Sequence, residues 1–194
     1  MYERSGIPYL LEQGSLCLGQ FKESSNPEHI QDAIDFQNQA LVLTDEVHPF
    51  RCSVLDALAQ SFLTRFERSH DPEDIKKATL YSAKAVDMAD VSQMAVALLA
   101  LGNVYHHRFL AFRQLEDLEL ALSYKLQALG YAPPYAEYLP DLFNTLGLSL
   151  SFRFDRLKDV QDIDHSIMWQ EQSLIGGVSA QGVPPLADEL RNNP

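Results

Sequence analysis

The chain has 194 residues, 46% of them hydrophobic, and carries a net charge of −12. That apolar content can bury a substantial core, two cysteines cannot build a disulfide framework, and an acidic chain without a basic stripe suits neither nucleic acid nor an anionic membrane surface. The longest wholly apolar run, Ala95 to Leu101, falls far short of the ~20 residues of a membrane span, and Met1 to Leu11 lacks the apolar stretch of a secretory signal, so a cytoplasmic protein is expected.

One pattern recurs along nearly the whole sequence. Its anchors are Phe21, Phe66, Phe109 and Phe154, at intervals of 45, 43 and 45 residues. Seven residues before each anchor stands Gly14, Ala59, Gly102 or Gly147. Nine after it stands Ile30, Ile75, Leu118 or Ile163, and twelve after it Ala33, Ala78, Ala121 or Ser166. An aromatic follows at fifteen (Phe36, Tyr81, Tyr124, Trp169) and a small residue at nineteen (Ala40, Ala85, Ala128, Ser173). A period of this length indicates stacked helix pairs.

Taken in chain order, the spacing predicts eight helices over 7–23, 27–43, 50–68, 72–88, 91–112, 115–129, 136–156 and 160–175. The first helix of each pair, helix A, has apolar residues at helical steps, as in Leu55, Leu58, Phe62 and Phe66, and its anchor lies near its end. Helix B opens on Asn26-Pro27, Asp71-Pro72 or Asp159, where a capping side chain precedes the first turn. The carboxylates that follow (Glu28; Glu73 and Asp74; Glu116 and Asp117; Asp162) are expected to complement the helix dipole rather than to act as catalytic acids. The aromatics at fifteen are expected to form a core ladder. Repeats span about 7–49, 50–90, 91–135 and 136–175. Residues 176–194 look like a partly flexible tail, with a short helix expected near Leu186 to Arg191.

Cys17 stands where the other repeats have Phe62, Tyr105 and Leu150, and is expected to be a small buried hydrophobe. Cys52 follows a turn and is expected to be more exposed. A Cys52–His48 pair lacks a third group. His106 and His107 are neighbours on one helix and diverge by about 100°, and no metal-ligand spacing, phosphate loop or nucleophile elbow occurs. No catalytic, cofactor or metal residue is therefore expected, and an enzyme using Cys52 or the histidines is the remote alternative.

The pattern resembles the tetratricopeptide repeat in Leu98, Leu101-Gly102, Tyr105, Ala121, Tyr124 and Ala128, and again in Phe143, Leu146-Gly147, Leu150, Ser166, Trp169 and Ser173. The unit is longer than that family's. Stretches such as Leu146 to Asp159, with the Arg-Phe anchors Arg65-Phe66, Arg108-Phe109 and Arg153-Phe154, are similar to long-unit repeats of fungal proteins in which the array precedes a caspase-like CHAT peptidase domain. The first repeat departs, having Gln20-Phe21. The resemblance covers about residues 10–175 and implies an all-α, right-handed superhelix of four helix-turn-helix repeats. It also implies a non-catalytic scaffold binding a protein or peptide in a concave helix A groove, or else the recognition part of a longer peptidase.

Mapping that groove from the residues at minus seven selects Asp56, Gln60, Asn103, His106, Asp141 and Asn144, with Leu11, Ser15, Leu99 and Leu148 beside them. These positions lack the lysines and arginine of a carboxylate clamp, so a basic peptide is the expected partner. Solenoid ends expose apolar surface, which makes self-association through Leu174 and Ile175 a further expectation.

Overall fold

Helix starts follow from side-chain caps. Asn26 accepts from the Glu28 N–H at 3.1 Å, Asp71 from Glu73 at 3.0 Å and Asp159 from Gln161 at 3.0 Å, each satisfying a donor that the first turn leaves free. The third helix B starts after Gln114, whose side chain makes no such bond. Helix stops are equally regular. Four residues past each anchor the chain turns into the left-handed region at Ser25, His70, Arg113 and Lys158, with φ of 56°, 56°, 59° and 59°. The N–H of each returns to its anchor's carbonyl at 2.7–2.8 Å. None of the four is glycine, the usual residue at such a stop.

The computed structural model describes residues 6–133 and 135–174. Among them are eight α-helices and no strand: α1 (Ile7–Ser24), α2 (Pro27–Val42), α3 (Arg51–Ser69), α4 (Pro72–Met88), α5 (Met94–Phe112), α6 (Leu115–Tyr131), α7 (Leu139–Leu157) and α8 (Val160–Leu174). The odd-numbered helices are the A helices and the even-numbered ones the B helices. α5 and α7 each begin three residues later than expected. Val91 to Gln93 and Tyr135 to Tyr138 stay in turns and loop, and neither Gln93 nor Tyr138 caps its helix by a side chain. The expected tail, its short helix and the role given to Ile175 lie outside the described residues.

The chain divides into two units, Met1–Asp90 and Val91–Pro194, each holding two repeats. In the first, α1 pairs with α2 and α3 with α4, and α3 also packs on α2 and α1. In the second, α5 pairs with α6 and α7 with α8, and α7 also packs on α6 and α5.

Within a pair the register positions meet. Ala33, Ala78, Ala121, Ala40, Ala85 and Ala128 are wholly buried, and Ser166 nearly so. The residue at minus seven lies against the small residue's turn. A Cβ on Gly102 would come within 2.8 Å of Lys125 Cγ, and one on Gly147 within 2.8 Å of Gln170 Cγ and 2.9 Å of the Ser166 carbonyl. The second repeat tolerates Ala59 at that place, and there the facing residue, sixteen past the anchor, is the small Ser82. The aromatic ladder is only partly internal. Trp169 is fully buried and stacks on Phe143 at 5.3 Å, whereas Tyr81 and Tyr124 are half-buried and stack on Phe62 at 5.7 Å and Tyr105 at 5.6 Å. Phe36 is half-buried as well.

Candidate functional site

The arginine before each anchor and one carboxylate of the next helix form a latch across the A–B turn. Arg65 holds Asp74 through two bonds of 2.9 and 2.7 Å, Arg153 holds Asp162 with its shortest bond at 2.6 Å, and Arg108 lies 3.2 Å from Asp117. All three carboxylates are buried. Burial outweighs Arg108 and leaves the Asp117 carboxyl above the usual carboxylate range. Those three residues keep their place in the first turn of helix B and gain a second role: an isolated buried carboxylate would be costly, and the paired arginine neutralises it. The exposed Glu28, Glu73 and Glu116 keep the helix-end role. The signal was present in the sequence, because arginine and aspartate occur together in three repeats and are replaced together by Gln20 and His29 in the first. Arg65 and Arg153 also reach back to the preceding helix B, to Gln31 at 3.2 Å and Glu119 at 3.1 Å.

A second polar cluster sits inside the Val91–Pro194 unit. Lys125 of α6 is fully buried and donates to the Thr145 carbonyl and Ser149 Oγ of α7, each at 3.3 Å. Ser149 Oγ donates to the Thr145 carbonyl at 2.8 Å and lies 3.1 Å from His106 Nδ1 of α5. Desolvation lowers the Lys125 ammonium to about 7 despite a nearby Asp141, and lowers His106 to about 3, with Lys125 and His107 adding to the effect. A serine beside a lysine of depressed basicity is a nucleophile–base arrangement, but both side chains are fully enclosed. The cluster ties three helices together. In the other unit the same register positions carry Gln37 and Ser61, whose Oε1 and Oγ are buried without a hydrogen-bond partner.

The six residues assigned to partner binding divide between the units. In the first, Asp56 and Gln60 lie one turn apart on α3. Gln60 is exposed, but Asp56 turns inward, its Oδ1 has no hydrogen-bond partner, and burial raises its carboxyl to about 6. In the second, Asp141 and Asn144 are exposed on α7, Asn103 is half-buried on α5, and His106 is drawn into the lysine cluster. Of the six, Gln60, Asp141 and Asn144 are thus the exposed ones. Leu99 beside them is buried and Leu148 is exposed.

Both cysteines depart from expectation. Cys52 is buried rather than exposed: it is the second residue of α3, on the side that meets α4, and its thiol donates to the Ala85 carbonyl at 3.4 Å. Burial, with Asp56 and Asp90 adding, raises that thiol to about 11. His48 instead accepts from the Phe50 N–H at 3.2 Å. Cys17 is half-buried rather than internal, because α1 meets only α2 and α3 among the described helices. No group of three or more potential metal-ligating His, Cys, Asp or Glu side chains occurs among the described residues, and none of their helices is long and apolar enough to cross a membrane.

No protein-family model matches the sequence, and no curated protein does. Neither the tetratricopeptide nor the CHAT family is therefore assigned. Solved structures do match. One titled "DHF58 filament" aligns over 95% of both chains at 14% identity with a TM-score of 0.52. A de novo designed helical repeat protein, DHR64, aligns over 96% of both at 15% identity with a TM-score of 0.42. With the eight helices and their register, the chain has an all-α helical-repeat fold of the solenoid class.

Proposed function

We propose that this helical-repeat protein is a non-catalytic interaction scaffold of tetratricopeptide-like kind, acting in the cytoplasm. It binds a basic peptide or protein segment through the exposed helix A residues that the core does not use. The observation that carries this reading is the sorting of polar side chains on α3 and α7. Arg65, Arg153 and Ser149 are consumed by latches and the buried cluster, whereas Gln60, Asp141 and Asn144 face solvent. A net charge of −12 favours a basic partner. The non-catalytic reading is supported by the enclosure of the two candidate nucleophiles, Cys52 and Ser149.

Affinity capture with quantitative mass spectrometry tests it, comparing the natural chain with a Gln60→Ala/Asn144→Ala variant. The expected result is loss of the captured partner with an unchanged melting temperature, since both residues are exposed. Equal capture by the variant removes these residues from the binding surface. A thiol or serine probe that labels the folded chain faster than the unfolded one contradicts the non-catalytic reading.

A further inference from the structure

The face of a helix B that a following helix A covers can be read where both lie in one unit. α3 packs on α2 and α7 packs on α6. The α2 residues Ile30, Ile34 and Gln37 are 2%, 3% and 1% exposed, and Leu118, Leu122 and Lys125, at the same offsets on α6, are buried as well. α8 repeats the α2 face residue for residue, with Ile163, Ile167, Gln170 and Leu174 at the offsets of Ile30, Ile34, Gln37 and Leu41. On α8, however, Ile167 is 50% and Leu174 85% exposed. The acceptor position recurs too. Gln31 on α2 and Glu119 on α6 accept from the arginine of the helix that covers them, Arg65 and Arg153. α8 carries Asp164 at that offset, exposed and bonded to no described residue.

We propose that the outer face of α8 docks an amphipathic, arginine-bearing helix of the α3 type, supplied by another protein chain. Its apolar ridge covers Ile163 and Ile167, a small residue lies against Gln170 as Ser149 lies against Lys125, and its arginine pairs with Asp164. Two nearer occupants lack this chemistry. Residues 175–194 contain one arginine, and aligning Arg191 with Arg65 places Asn192, Asp188 and Pro185 where α3 has Phe66, Phe62 and Ala59. In a second copy, α1 would present Gln20 at the arginine position and Leu16 at the position of Ser61 and Ser149.

The test is a fluorescence-anisotropy titration of the full chain with a labelled synthetic peptide of residues 50–70, which contains α3. Saturable binding is expected. Ile167→Glu abolishes it, and Asp164→Arg weakens it by about fivefold or more through like-charge repulsion. A peptide carrying Arg65→Glu binds the natural chain poorly and regains affinity on the Asp164→Arg chain. Both chain variants change exposed residues, so their melting temperatures stay at the natural value. If Ile167→Glu does not fold, the charge-reversal pair decides alone. Binding that ignores both substitutions overturns the proposal. So does light scattering that reveals a natural dimer dissociated by Ile167→Glu, which gives the face to a second copy. Binding that emerges only after deletion of residues 175–194 gives it to those residues and also overturns the proposal.

Discussion

At the scale of single residues, the register decides what each position tolerates. Trp169 is enclosed completely against Phe143, so Trp169→Ala should cost about 3–5 kcal/mol in chemical unfolding. A smaller loss would mean that the pocket collapses around the deleted ring. Gly102 is required by the side chain facing it rather than by its backbone, because an added methyl meets Lys125 Cγ at 2.8 Å. Gly102→Ala should therefore destabilise by about 1–3 kcal/mol as an overpacking change. The penalty should shrink in a Lys125→Ser background, which imitates the Ala59–Ser82 arrangement of the second repeat. An equal penalty in both backgrounds would place the clash on the Ala121 carbonyl, which such a methyl meets at 3.2 Å. Ser25 adopts a left-handed φ of 56° that glycine takes without strain. Ser25→Gly is expected to stabilise by about 1 kcal/mol. The gain should be smaller at Lys158, whose ammonium lies 5.2 Å from the Phe154 ring centre.

At the scale of helices and their pairs, the latch is the element that most needs the structure to be seen. Asp162→Ala leaves the half-buried Arg153 guanidinium with only Glu119, and should cost about 3 kcal/mol. Replacing both Arg153 and Asp162 by leucine should cost less than that single change, because no uncompensated charge remains. Unfolding curves of the two variants decide between a latch and a mere helix-end charge, which would lose only a few tenths of a kcal/mol. The helix boundaries were largely legible because Asn26-Pro27, Asp71-Pro72 and Asp159 are strong local starts whose chemistry does not depend on tertiary packing. What was not legible depended on which way a side chain faces across a turn. Asp74, Asp117 and Asp162 share a first turn with exposed dipole acids, and only the paired arginine on the preceding helix distinguishes them. The helix A stops fall within one residue of their expected ends, although Ser25, His70, Arg113 and Lys158 offer none of the glycine that usually marks such a stop. Cys52 was misread because its turn suggested exposure, while its place on α3 turns it toward α4.

At the scale of the whole molecule, the fold was legible from periodicity, whereas the exposure of the six residues proposed for binding was legible only in part. Periodicity reports burial, and it identified Gln60, Asp141 and Asn144 by leaving them outside the core pattern. It could not foresee that His106 would be recruited by Ser149 or that Asp56 would turn inward, because both follow from packing partners distant in sequence. Those buried groups make stability depend on pH. Lys125 falls from its ordinary 10.5 to about 7 on folding and His106 from 6.5 to about 3, so the unfolded chain binds more protons in both windows. Stability of the Val91–Pro194 unit should therefore rise with pH between about 3 and 6.5 and again between about 7 and 10.5. Asp56 acts oppositely in the Met1–Asp90 unit: its carboxyl rises from 3.8 to about 6, so its contribution is lost as pH rises through that window. Trp169, the only tryptophan, reports urea unfolding of its unit, and Lys125→Met should flatten the alkaline rise. A rise that survives the substitution would assign it to another group.

The repeat register separates side chains that hold the fold from those proposed to meet a partner. Hydroxyl-radical footprinting of the chain, free and with its captured partner, tests this at side-chain resolution. Leu148 on helix A is 39% exposed, and Leu80 and Leu120 on helix B are 51% and 38% exposed. The partner is expected to protect Leu148 and to leave Leu80 and Leu120 as reactive as before. Protection of Leu80 and Leu120 with Leu148 unchanged would contradict it.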